Sequence, residues 1–193
     1  MSRIVNWLKS LLKPSPTRSV LSLLAIGLAV GVAGVLTFDA TMHATNTEEF
    51  CTSCHEMEIN PFDQVQRTAH YSNKAGIAAT CSDCHVPKEF VPKMIRKIEA
   101  SREVWGTMIG IIDTPEKYRA HAPKMKAREI ARLKANDSQE CRNCHQVDRM
   151  LMASQTAKAQ EYHQALLSNG KTCIDCHSGI AHPENSGTAA LHY

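Results

Sequence analysis

The chain has 193 residues, of which 43% are hydrophobic but only 5% aromatic, and it carries a formal net charge of +3. That is room for one modest domain and an appendage, and the few aromatic residues are thin material for a conventional apolar core. The charge distribution excludes a nucleic-acid binder, because Arg3, Lys9, Lys13 and Arg18 supply the excess and residues 39–193 hold 18 Lys and Arg against 19 Asp and Glu.

In chain order, residues 1–19 form a basic segment without an acid, in which Leu8, Leu11 and Leu12 around Lys9 and Lys13 predict a short interfacial helix. Val20 to Phe38 is uncharged throughout. As a helix it reaches roughly 28 Å, close to the hydrocarbon thickness of a bilayer. The run is long for a signal peptide and no A-x-A site follows it, so residues 20–38 read as an uncleaved transmembrane anchor. Positive charge before the span and none just after it puts the N-terminus in the cytoplasm and residues 39–193 in the periplasm of a bacterium, at its inner membrane. Gly27 and Gly31 permit close helix approach, and with it a homo-oligomer.

The eight cysteines fall into four pairs, each followed at once by histidine: CTSCH (51–55), CSDCH (81–85), CRNCH (141–145) and CIDCH (173–177). No cysteine is left for a disulfide. Zinc ribbons and iron–sulfur clusters use paired cysteines but do not require a histidine after every second one. Covalent c-type haem does, so Cys51, Cys54, Cys81, Cys84, Cys141, Cys144, Cys173 and Cys176 predict four covalently bound haem c. The first cysteines are spaced by 30, 60 and 32 residues, which is two close pairs and a longer connection. HYSNKAGIAATCSDCHVP (70–87) also parallels HQALLSNGKTCIDCHSGIAHP (163–183), as a duplicated dihaem unit would. The halves are set at about 46–112 and 137–183, with a helical linker at about 113–136. Between the motifs, apolar spacing predicts a helix over Val91–Ile112. Another starts at Thr114-Pro115-Glu116, kinks at Pro123 and ends near Asn136-Asp137. A third runs from Val147 to Ser168 and ends at Asn169-Gly170. Strand signals are weak. The predicted fold is mainly α with little β: a transmembrane helix, then a multihaem domain whose porphyrins stand in for much of the missing core.

Each iron needs axial ligands, and a second imidazole is the usual partner in low-spin electron-transfer haems. The motifs supply His55, His85, His145 and His177. The duplication singles out His70 and His163. His182 lies five residues past His177, too near in sequence to reach the far face of the same haem, and is expected to serve another. His43 and His121 are weaker candidates, and His192, at the terminus, the weakest. Three strong candidates for four irons leave one iron short. Met57, two residues after His55, is either a packing residue or a ligand at that site.

Taken together, CTSCHEM, AHYSNKAGIAATCSDCHVP, NDSQECRNCH and TCIDCHSGIAHP behind one N-terminal anchor resemble the NapC/NirT family of membrane-anchored tetrahaem quinol dehydrogenases. The resemblance implies two dihaem halves, oxidation of menaquinol or ubiquinol, and electron delivery to a periplasmic reductase or its soluble cytochrome subunit. It implies that Met57 displaces His55 as ligand of the first haem, leaving the other face open beside the quinol site. A first haem held by His55 and His43 is the alternative. It implies a quinol site built on a lysine and a carboxylate six residues on, here Lys97 and Glu103, where the family more often has Asp. Residues six apart on a straight helix point about 120° from each other, so both reach one haem only if the helix bends. Lys93, Arg96 and Arg102 are expected near the membrane surface. One anchor, four haems and this length favour a nitrate reductase as acceptor, with a general quinol-oxidising hub or a donor to a nitrite reductase as alternatives. A terminal reductase is disfavoured, since all four motifs end in histidine and none in lysine.

Overall fold

The computed structural model describes residues 2–11, 19–166 and 170–183. Expectations that fall on Leu12, Lys13, Arg18, Ser168, Asn169 and His192 lie outside the described residues. The chain divides into two compact units, Met1–Ala44 and Thr45–Tyr193.

The first unit holds α1 (Ser2–Leu11) and α2 (Val20–Ala44). Helix α2 is apolar all round and buries no residue, as a helix solvated by lipid does. It runs past Phe38 to Ala44, taking in Asp39 and His43, whose side chains approach to 3.8 Å.

The second unit is a set of short helices around two long ones. α3 (Glu48–Cys51) and α4 (His55–Met57) carry the first motif, and a π-turn (Glu58–Phe62) leads into α5 (Asp63–Gln66). α6 (Cys81–His85) is the second motif, followed by α7 (Phe90–Met108) and α8 (Pro115–Ala135). α9 (Gln139–Arg142), α10 (Ala157–Leu166) and α11 (Cys173–Cys176) complete it. Among the described residues there is no strand. The mainly α fold expected from the sequence is therefore present.

Local chemistry sets the boundaries. Thr114 caps α8 by accepting from Lys117 N at 3.3 Å, with Pro115 at the first helical position. The helix continues through Pro123, which sits inside it, to a cap at Asn136. Helix α7 stops at Met108, short of Ile112, because Gly110 adopts φ +77° and the Ile111 and Ile112 amides both turn back to the Gly106 carbonyl. The single helix expected over Val147–Ser168 is not formed. Val147–Arg149 and Met152–Ser154 are 3₁₀ turns, and α10 starts afresh where Thr156 Oγ1 accepts from Ala159 N at 3.2 Å.

The polypeptide core is small. Among the described residues the buried hydrophobic side chains are Ile112, Leu133 and Val147, outnumbered by buried Glu56, Asn60, Thr68, Ser138, Glu140 and Thr172. Polar contacts to the motif loops do much of the joining instead.

Candidate functional site

Three motif histidines each face a histidine from outside the motifs. His145 lies against His70, His85 against His182 and His177 against His163, with ring centroids 6.1 Å apart in every pair. A metal–imidazole bond is about 2 Å and a ring centre lies roughly 1 Å further out, so imidazoles on opposite faces of one iron have centroids about 6 Å apart. The pairs therefore fit a bis-histidine iron, and the shared spacing is the observation that tests the fit. Stacking alone would not fix one separation while the interplanar angle runs from 35° to 80°. Beside the third motif, an open cleft of about 340 Å³ is lined by Cys144, His145, Gln146, Arg149 and Met150. None of the eight cysteines is in a disulfide, and no group of three or more His, Cys, Asp or Glu among the described residues is arranged as a metal cluster. Two of the pairs, His70–His145 and His85–His182, join the first half of the sequence to the second.

Burial favours the neutral form of two of these rings. It pushes His182 down to about 4, helped by His85 and Lys126, and lowers His70 as well. The Nδ1 atoms differ in what they meet. That of His85 pairs with Glu129 Oε1 at 2.9 Å, and that of His163 with the amide oxygen of Gln155 at 2.7 Å. His70 Nδ1 is buried without a partner, and His182, beside the Pro61 carbonyl, makes no well-aligned bond from Nδ1.

The C-terminal part of α8 organises three of the four motif loops. Glu129 also receives Arg132 at 2.7 Å and Arg96 at 3.4 Å. Burial alone would raise its carboxyl, but the hydrogen bonds from His85 and Arg132 outweigh that and hold it well below the usual carboxylate range. Arg132 continues to buried Glu140, the residue before Cys141, and to the Cys84 carbonyl. Arg96, expected at the membrane surface, is instead turned inward and donates to the His85 carbonyl at 3.2 Å. Lys134 reaches Asp175 in the fourth motif at 2.7 Å. Past the helix end, Asp137 and Ser138 take left-handed backbone angles, and fully buried Ser138 accepts from Ile174 N at 3.2 Å.

The first motif is different. His55 is exposed and has no histidine opposite it among the described residues, whereas Met57 is half-buried next to buried Glu56. Glu56 Oε1 accepts from Thr107 Oγ1 at 2.9 Å, which ties the motif to α7. The Cys51 and Cys81 thiols lie within hydrogen-bonding reach, so the first two motif loops meet. Lys97 is close enough to Cys51 to interact with it electrostatically. Its ammonium donates to Thr45 Oγ1 at 2.7 Å and to the Thr45 carbonyl at 3.2 Å. Burial, then Lys93, lower its pKa. Glu103 stands on the same continuous helix and is held by Arg128 of α8, with Oε2 buried and unpaired. The structure therefore does not bring Lys97 and Glu103 into mutual contact. His43 is exposed on α2, and His121 Nδ1 pairs with the Lys117 carbonyl within α8.

Sequence reasoning passed over Glu129, Arg132, Glu140 and Gln155. Charges three apart on a helix read as a solvated face, and the one available signal was the position of Glu140 immediately before Cys141.

Comparisons with known proteins place these features. Residues 13–187 match the model of the NapC/NirT cytochrome c family, N-terminal region. The cytochrome c-type protein NapC of Escherichia coli (strain K12) is 46% identical over 183 residues, 94% of this chain and 89% of that protein. The denitrification system component NirT of Stutzerimonas stutzeri is 45% identical over 170 residues, covering 88% and 85%. The NapC protein of Paracoccus pantotrophus is 46% identical over 187 residues, covering 95% and 79%. No solved structure matches.

Proposed function

This chain belongs to the NapC/NirT cytochrome c family, and on that premise we propose that it is a membrane-anchored tetrahaem quinol dehydrogenase. The observation that carries the reading is the common 6.1 Å spacing of the three histidine pairs. The eight motif cysteines would hold four haem c by thioether bonds. His85 with His182, His145 with His70 and His177 with His163 would supply axial ligands, and Met57, with His55 as the alternative, the ligand at the first site. Bound haem supplies one-electron chemistry, so that a two-electron donor can be emptied in single steps.

The residues around the first motif would handle the donor. A quinol losing two electrons and two protons becomes a quinone, so its hydroxyls need an orienting donor and a proton acceptor. The Lys97 ammonium is the orienting group, and its tie to Thr45, the residue after the apolar helix, supports access from the bilayer. The unpaired Oε2 of Glu103 is the acceptor candidate. Val91, Ile95, Ile98 and Trp105, exposed along one side of α7, add an apolar surface suited to a lipid boundary. Menaquinol or ubiquinol would enter here. The electrons would leave singly to a periplasmic reductase or its soluble cytochrome subunit, and a nitrate reductase is the favoured acceptor because one anchor and four haem motifs resemble the family members that serve it. Residues 1–19 would lie in the cytoplasm, with the haem-bearing part, in two sequence halves, in the periplasm.

Haem quantification together with quinol-driven reduction tests the proposal. About four haems per chain are expected. Lys97→Gln should slow reduction by a quinol analogue and leave reduction by dithionite at the wild-type rate. Two haems or fewer would overturn the tetrahaem reading. Unimpaired quinol turnover in both Lys97→Gln and Glu103→Ala would remove the proposed quinol site.

A further inference from the structure

The acceptors on the Nδ1 atoms of the paired histidines are chemically unequal. Glu129 presents a carboxylate oxygen to His85, whereas Gln155 presents an amide oxygen to His163. Whatever accepts the Nδ1 proton fixes the tautomer, leaves Nε2 for the metal and controls how strongly the ring donates. A carboxylate draws more on that proton than an amide does, so its imidazole is the stronger donor and favours ferric over ferrous iron.

We propose that these two residues rank the potentials of their haems: Glu129 positions His85 and lowers the haem shared by His85 and His182, while Gln155 leaves the haem of His163 and His177 higher. The inference rests on the histidine-pair reading above. The surroundings of Glu129 are built for this role. Its side chain is 19% exposed, and Arg132, on the same Oε1 that meets His85, and Arg96, on Oε2, hold the carboxylate with bonds of their own. Both guanidiniums also grip the loop that carries the ring, through the Cys84 and His85 carbonyls. Carboxylate and ring are thereby fastened to one frame. Gln155 is placed by a different device, in the turn that precedes α10, where its own carbonyl accepts from Gln160 Nε2 at 2.9 Å. With the haem at the first motif outside the comparison, an electron entering there would meet sites of deliberately different affinity rather than a uniform row.

Redox titration of the holoprotein, with electron paramagnetic resonance of each low-spin iron, tests the inference. His182→Met marks one haem by its changed ligand-field signature. Glu129→Gln should raise the potential of that same haem by about 59 mV or more, equivalent to a tenfold loss of ferric preference for one electron, and shift its g-values. Gln155→Glu should lower the potential of a different haem and shift that one's g-values. If His182→Met alters no haem signal, the pairing itself is wrong. If it marks a haem whose potential Glu129→Gln leaves alone, the pairing stands and the role of Glu129 is lost. A raised potential with unchanged g-values would reduce Glu129 to a distant charge, which also overturns the positioning role. Should Glu129 variants fail to acquire their haems, Gln155→Glu decides, and an unmoved potential there refutes the ranking.

Discussion

Met57 and His55 are the two candidate ligands at the proposed first haem, and their surroundings are unequal. Among the described residues no imidazole stands across from exposed His55, while Met57 follows Glu56, which is 4% exposed and fixed by Thr107. A thioether is soft, favours ferrous iron and raises the potential relative to imidazole, which suits the proposed site for taking electrons from a quinol. Met57→Ala should therefore abolish or alter the high-spin haem signal and impair quinol oxidation, whereas an unchanged spectrum would return His55 to the iron. The support beneath Met57 is open to a separate test. Thr107→Val removes the hydroxyl bonded to Glu56 and leaves a buried carboxylate oxygen without that partner, at a cost of about 1–3 kcal/mol. Denaturant unfolding of the holoprotein, reading the midpoint at constant slope, checks this value.

At the scale of elements, the repeated TCxDCH pattern has a mechanical explanation that the haem alone does not give. In both copies the aspartate takes the backbone N–H and the hydroxyl of the threonine before the first cysteine, Asp83 from Thr80 and Asp175 from Thr172. Each short haem helix thus starts from a reciprocal cap. Thr172→Ala should cost about 1 kcal/mol of stability. Asp175→Ala should cost more, since it also loses Lys134, and should lower haem attachment at the fourth motif; equal stability of the two variants would show that the Lys134 pair contributes nothing. Such features explain what could be read in advance. The long apolar helix α2 and the start of α8 were legible because each rests on a local rule of composition or capping. The break of the expected Val147–Ser168 helix was not, because the apolar spacing there suits a helix and only the Thr156 cap argues otherwise. Nor was the hub at Glu129 and Arg132 visible, because its meaning depends on which loops α8 meets across 44 to 48 residues of sequence.

For the whole molecule, the decisive quantity is how little apolar side chain the polypeptide buries by itself. In Thr45–Tyr193 the buried hydrophobic residues among those described are Ile112, Leu133 and Val147, each at 7–8% exposure. Phe50, Ile77, Ile98, Trp105 and Leu151 are each at least half exposed. Burying one large side chain contributes about 1.5–3 kcal/mol, whereas fixing one residue's backbone costs about 1–2 kcal/mol. A unit of this length cannot offset its ordering with three such side chains and a set of hydrogen bonds that water would otherwise satisfy. On the proposed tetrahaem reading, the missing apolar contact comes from the porphyrins, tethered by the cysteines and drawn between histidines from both halves of the sequence. The chain produced with haem attachment blocked should therefore lack a stable second unit: limited proteolysis should digest residues 45–193 while α2 persists in membranes, and heating should show no cooperative transition. Loss of one haem should spread in the same way. Cys81→Ser with Cys84→Ser removes the anchorage that holds His85 opposite His182, so proteolysis should open the fourth motif as well as the second. A haem-free segment 45–193 that resisted protease and melted cooperatively would mean that the polar network around α8 is sufficient, and that the porphyrins are passengers in a fold that stands without them.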